Sequence, residues 1–340
     1  MKNKMKLSND SEKSFLERLV FLFGVSFIVL FYSEYFFFNE GPVDDIHSKL
    51  QKPVSMLTGL LEMAVWYVLC VAPAILILWF TRASNIWGLF LVGGIAGYLI
   101  EGLIVPPLYL ELPTSLLWTS LSWHPLVDVI FGLWIWQIFL RSRGFIFNVF
   151  VCLVMGCFWA LWATWPVGFE SDTTGQLVEF THINQFIPFF FITTSIVFIG
   201  NILISFGTQK TFKPTRIDYY IFTLTTICFA LLMWLQVSFL IILLPALLLF
   251  CYVPLHCMKD KYNDSETPIL QLFKNKPPLL NQLSVWAMPL SASFTYWLLS
   301  TKSWHLEYWV LAWPIILSGF LLMIISQFKL YRRVFDPFKP

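Results

Sequence analysis

The sequence predicts an all-α fold, a polytopic integral membrane helix bundle of about ten transmembrane helices with its N-terminus and C-terminus cytoplasmic. Three observations predict it. Of the 340 residues, 58% are hydrophobic and only 12% are charged. A soluble domain carries about 25% charged residues, so this chain lacks the polar surface to stay in water. Its apolar residues are gathered into runs of about 17 to 25, the length that crosses a bilayer core as a helix. The basic residues alternate with those runs. With the N-terminus inside, all but Lys49, Lys52 and Lys302 of the 22 Lys and Arg fall on cytoplasmic segments, as the bias of positive charge toward cytoplasmic loops requires.

Taken in order, the first run is Leu19–Phe38, after a Lys-rich cytoplasmic segment 1–18. It is long, aromatic and lacks a small-residue cleavage site, so it reads as a retained span rather than a signal peptide. Ser55–Phe80 and Asn85–Val105 follow. Pro106, Pro107 and Pro113 then forbid a continuous helix, and the fourth span is placed at His124–Leu140, with Pro125 suited to a first helical position. An earlier start near Ser115, with a kink at Pro125, is the alternative. Phe145–Trp165 and Gln185–Phe206 are the fifth and sixth spans. Ile217–Leu235 and Ser238–Leu255 are joined by a tight turn near Gln236. Spans one to eight thus occupy residues 19–257. Residues 258–282, Lys-rich and containing Pro277 and Pro278, read as a solvated cytoplasmic linker. Leu283–Leu299 and Tyr308–Ile325 complete the bundle within 283–327, before a basic tail 328–340. Trp118, Trp123, Trp162, Trp165, Trp304 and Trp309 fall at outer ends, where indoles favour the membrane interface.

Polar residues at membrane depth are costly and mark functional positions by default. Glu34, Glu62, Glu101 and Asp128 all fall in the outer half of the first four spans, and spans six to ten hold no acid at comparable depth. Decorative acids would scatter over both leaflets. His124 and Asp128 are four apart and share a helix face. Gly93 and Gly97 have the spacing that lets two helices approach closely. Glu62, Glu101, His124 and Asp128 are therefore expected to line one cavity open to the outer face, with Glu34 beside it, as a binding or proton-coupling site.

Several chemistries are excluded. The six cysteines contain no CxxC pair, so they suggest neither a disulfide framework nor a zinc site. One histidine with two carboxylates is a poor zinc set, and no metal is expected. There is no P-loop, GxSxG or HExxH, and no strand precedes the glycines as a nucleotide fingerprint demands. No cofactor and no nucleic-acid partner follow. The expected partners are membrane lipids and a small solute or lipid-soluble substrate. A secondary transporter with an outward-facing, proton- or cation-coupled site fits first. A membrane enzyme using Glu101, His124 and Asp128 as acid–base residues at the outer leaflet is the alternative, and an accessory or assembly subunit is a third. A plasma or bacterial inner membrane is the expected location.

Overall fold

The computed structural model describes residues 12–167, 182–206, 210–257 and 268–335. Most of the expected N-terminal segment, the first part of the 258–282 linker and the end of the basic tail lie outside the described residues. Among these the chain is nearly all helical and has no β-strand, only an isolated bridge between Glu12 and Thr211. Eight helical segments among the described residues are long and apolar enough to cross a membrane.

Helix α1 (Phe15–Leu30) starts at Ser14, where a capping box with Glu17 satisfies the first free backbone donors. It continues as a π-helical turn, Phe31–Phe36. The short α2 (Glu40–Lys49) leads to α3 (Pro53–Thr81), whose proline occupies the first helical position, where a missing N–H costs nothing. Helix α4 (Ile86–Leu103) is capped by the Asn85 side chain, which accepts from the Gly88 N–H at 2.9 Å. After α5 (Pro107–Leu110), a single helical segment runs Thr114–Ser142. It comprises α6 (Thr114–Leu117), an 18-residue π-helical stretch (Trp118–Ile135) and α7 (Trp136–Ser142). The early start is thus the one adopted, and Pro125 lies inside the segment rather than at its head. A proline deprives the ladder of a donor wherever it sits in a helix. Here it falls in the stretch where bonding has already shifted to residues five apart.

Helices α8 (Phe145–Trp162) and α9 (Ile183–Ile204) follow. The seventh and eighth expected runs form one 42-residue helical stretch, Arg216–Cys257. It consists of α10 (Arg216–Val237), a 3-10 turn (Ser238–Ile242) and α11 (Leu243–Cys257), and Ser238 at the junction has φ +54°. The expected linker contains α12 (Pro268–Leu272), and Ile269, Leu270 and Phe273 are buried. The ninth run is assembled from α13 (Leu279–Leu283), a 3-10 turn and α14 (Ala287–Thr301). Helix α15 (Tyr308–Phe335) closes the bundle.

Two ends of the bundle are distinguishable. At one, Arg18 pairs with Asp218 at 2.8 Å, and Phe21 packs on Phe212 and Phe273. At the other, Tyr308 meets Trp118 and Trp162, and Phe38 stacks on Phe186. Trp123 and Trp162 are buried in protein rather than set in the interface as expected. The reason is local. The π turn after α1 leaves backbone carbonyls to be satisfied, and the indoles of Trp123, Trp159 and Trp162 donate to the carbonyls of Tyr32, Tyr35 and Phe37 at 2.9, 2.8 and 2.5 Å. Trp304 and Trp309 are exposed.

Candidate functional site

Close backbone approach builds the site. A Cβ on Gly97 would lie 2.2 Å from the Ser120 carbonyl oxygen and 2.9 Å from the His124 Cβ, and one on Gly93 would lie 2.6 Å from the Pro125 Cα. Only glycine leaves room for α4 to lie directly on the π-helical stretch. One turn beyond Gly97, that contact delivers Glu101 to His124.

His124 is the hub. Its Nε2 is 3.1 Å from Glu101 Oε1, and its Nδ1 is 2.7 Å from Asp128 Oδ2. The carboxylates differ in access. The Glu101 side chain is 17% exposed, whereas those of His124 and Asp128 are 3% and 0% exposed. From the same Nδ1 a longer contact of 3.4 Å reaches Ser33 Oγ, and Ser33 lies 2.6 Å from the Tyr67 hydroxyl. Tyr67 donates to Glu34 Oε1, and Asn39 Nδ2 donates to Glu34 Oε2 at 2.7 Å. Because Tyr67 has one hydroxyl proton and gives it to Glu34, Ser33 must donate to Tyr67. From Ser33 onward the file therefore has one sense, Ser33 donating to Tyr67 and Tyr67 to Glu34.

Proton counting constrains the centre. Each of the two imidazole–carboxylate contacts needs a proton between its heavy atoms. The Glu101–His124–Asp128 set then holds two protons whichever atoms carry them, and its net charge is −1. The second oxygen, Asp128 Oδ1, is buried with no hydrogen-bond partner among the described residues, as is the nearby Tyr32 hydroxyl. Asp128 and Glu101 address opposite edges of the imidazole, so the three side chains do not converge on one ion. Among the described residues no group of three or more His, Cys, Asp or Glu side chains is arranged to hold a metal ion. Asp128 and Ser33 face the same ring nitrogen, Nδ1, where Asp128 is the nearer, and Glu101 takes the other, Nε2.

Of the residues singled out from sequence, Glu101, His124, Asp128 and Glu34 are brought into one network. Glu62 is not. It lies exposed on the outer face of α3 beside Leu61 and Val65, with no partner among the described residues. The expectation that it shares the site is corrected by helical phase. Tyr67, five residues further on, occupies the inward face that Glu62 was assigned. Ser33, Asn39 and Tyr67 were missed. A tyrosine in an apolar run is a readable signal, since a buried phenol seeks a partner for its hydroxyl. The two π-helical stretches, which carry Ser33 with Glu34 and His124 with Asp128, left no such mark. Such stretches are rare and collect at functional sites. Compared with known proteins, the chain matches no family model, no curated protein and no solved structure.

Proposed function

We propose that this chain is a ten-pass membrane transporter, both termini cytoplasmic, that couples movement of its solute to protons taken up at Glu101 from the outer side and passed to His124 and Asp128. One observation carries the reading. A partly exposed carboxylate contacts an imidazole that contacts a fully buried carboxylate, at 3.1 and 2.7 Å, so a proton can step inward without a free charge entering the apolar core. Proton relays of acids and histidines inside a bundle are the hallmark of pumps and transporters. Through Ser33 and Tyr67 the relay also joins the π turn after α1, α3, α4 and the π-helical stretch, so a change in its charge alters the contacts that hold four segments together.

The pass count is supported by length. The Arg216–Cys257 stretch would extend about 63 Å if straight, against a core of about 30 Å. Tyr219 and Tyr252, from its two arms, line one cavity, as a hairpin turning at Ser238 requires. The pieces from Leu279 to Thr301 supply another crossing.

The test needs no knowledge of the solute. Purified protein in vesicles adsorbed on a solid support is subjected to an outer pH jump, and displaced charge is recorded. The wild type should give a transient that Glu101→Gln abolishes and Glu62→Gln leaves unchanged. An undiminished transient from well-folded Glu101→Gln protein would defeat the reading.

A further inference from the structure

We propose that Tyr32 is a positioning residue of the relay: when Asp128 gives up its proton, the Tyr32 hydroxyl turns to donate to Asp128 Oδ1 and holds the carboxylate in its ionised form. The inference rests on the relay reading above and names the partner that its innermost acid lacks.

Hydrogen-bond counting leads to it. Of the two carboxyl oxygens of Asp128, Oδ2 meets His124 Nδ1 at 2.7 Å, while Oδ1 is buried with no partner among the described residues. The set carries one negative charge, and of its two carboxyls only that of Glu101 is partly exposed. Charge is far less costly where water reaches it. The charge therefore belongs on Glu101, and Asp128 carries a proton on Oδ2, toward His124. In that form Oδ1 is a carbonyl oxygen, which is cheaper to leave unpaired than an oxygen of a carboxylate. Once the proton departs, Asp128 is a fully buried anion with one oxygen unserved, and it demands a donor.

Tyr32 is placed to supply one. Its Oη is also buried without a hydrogen-bond partner among the described residues, and a buried polar group left so calls for an explanation. The residue is fixed from both ends. The Trp123 indole donates to the Tyr32 carbonyl at 2.9 Å, and the ring lies against Gly132, where a Cβ would fall 2.5 Å from Cδ2 and 2.7 Å from Cε2. Gly132 follows Asp128 by four residues on the same π-helical stretch, about one turn. An unpaired donor and an unpaired acceptor thus sit in neighbouring turns of one packed layer. Trp136 Nε1 is buried without a partner too, but it is eight residues from Asp128 in sequence, about two turns away. A neutral acid gains little by drawing the phenol in. An ionised one gains the stronger, charge-assisted bond.

The other titratable groups facing this pair are His124 on the same stretch, Glu101 from α4, Glu34 from the π turn, Tyr67 from α3 and, beside Tyr32, Cys152 from α8. They act on Asp128 in wild type and Tyr32→Phe alike, so the loss of one oxygen atom isolates the Tyr32 contact.

Infrared titration of the purified full chain tests this. A protonated carboxyl gives a C=O band that vanishes on ionisation, and the part missing from Asp128→Asn belongs to Asp128. In the wild type that part should fade as pH rises, together with a change in a phenol band that Tyr32→Phe removes. Tyr32→Phe deletes an oxygen that has no hydrogen-bond partner, so folding is kept. Its midpoint should lie about one to two pH units higher, the worth of a hydrogen bond to a charged group. An Asp128 band that is absent or unchanged throughout the titration, or a midpoint that Tyr32→Phe leaves in place, overturns the proposal. The pH-jump transient judges the relay itself, and this titration judges the Tyr32 contact without it.

Discussion

Glu101 and Glu62 are both acids among apolar neighbours, yet their surroundings assign them different fates. Glu101 ends a helix that glycines press against the His124 segment, while Glu62 points away from the bundle. Tyr67 matters for the same reason of placement. It is buried between Ser33 and Glu34, and Tyr67→Phe strands an acceptor on one side and a donor on the other. Leaving buried polar groups unmade costs about 1–3 kcal/mol, so thermal unfolding in detergent should show Tyr67→Phe clearly less stable, while Glu62→Gln shifts little. A third residue supplies a pH effect. His47 on α2 lies between Phe186 and Phe189, with ring centroids 5.9 and 5.3 Å away. Burial there holds its imidazole below the ordinary range, and the Asp44 charge opposes this only in part. The folded state therefore prefers neutral His47. Its contribution is intact above the unfolded value of about 6.5 and is lost as pH falls from there through the lower folded value. Unfolding temperature should drop on acidification, and His47→Phe should flatten that slope. An equal slope in the variant would assign the effect elsewhere.

At the scale of elements, the contact of α4 with the π-helical stretch is what the site depends on. Its closeness is set by two small residues, and the π stretch in turn sets the rotation that presents His124 and Asp128 to neighbouring helices. Gly97→Ala forces backbone apart, because the added carbon would fall 2.2 Å from a carbonyl oxygen. Overpacking of this kind costs about 1–3 kcal/mol, and it should also separate Glu101 from His124 and suppress the pH-jump transient. Gly144→Ala is the control, since nothing lies within 4 Å of its added carbon. If both variants keep full stability and transient, close helix contact is not what assembles the relay.

For the whole molecule, the balance of charge and length bears on topology. The end of the bundle that carries Arg18, Arg141 and Asp218 is held by directed contacts. Arg141 donates to the Asn275 carbonyl at 2.7 Å and to the Gln137 carbonyl at 3.2 Å, and Asn281 donates to the Leu140 carbonyl at 2.8 Å. The opposite end is aromatic. Reporter fusions after Phe206 and after Met258 should therefore both signal the cytoplasm, and a fusion near Asp172 should signal the outside. An outside signal at either of the first two positions would break the ten-pass arrangement.

The sequence by itself determined the class of the molecule. Hydrophobic runs, their lengths and the placement of Lys and Arg are local or one-dimensional properties, and transfer from water to lipid acts on each run almost independently. The same logic located Glu101, His124 and Asp128, because an ionisable residue in an apolar run is conspicuous whatever surrounds it. Tertiary structure alone decided which acids meet. The phase of a helix separates Glu62 from Tyr67, and the file from Ser33 through Tyr67 to Glu34 joins residues 33 positions apart or more at each contact between helices. It also decided the π-helical bonding of Trp118–Ile135. No propensity in the residues encodes that bonding, which arises from how the segment packs between its neighbours and not from the segment itself.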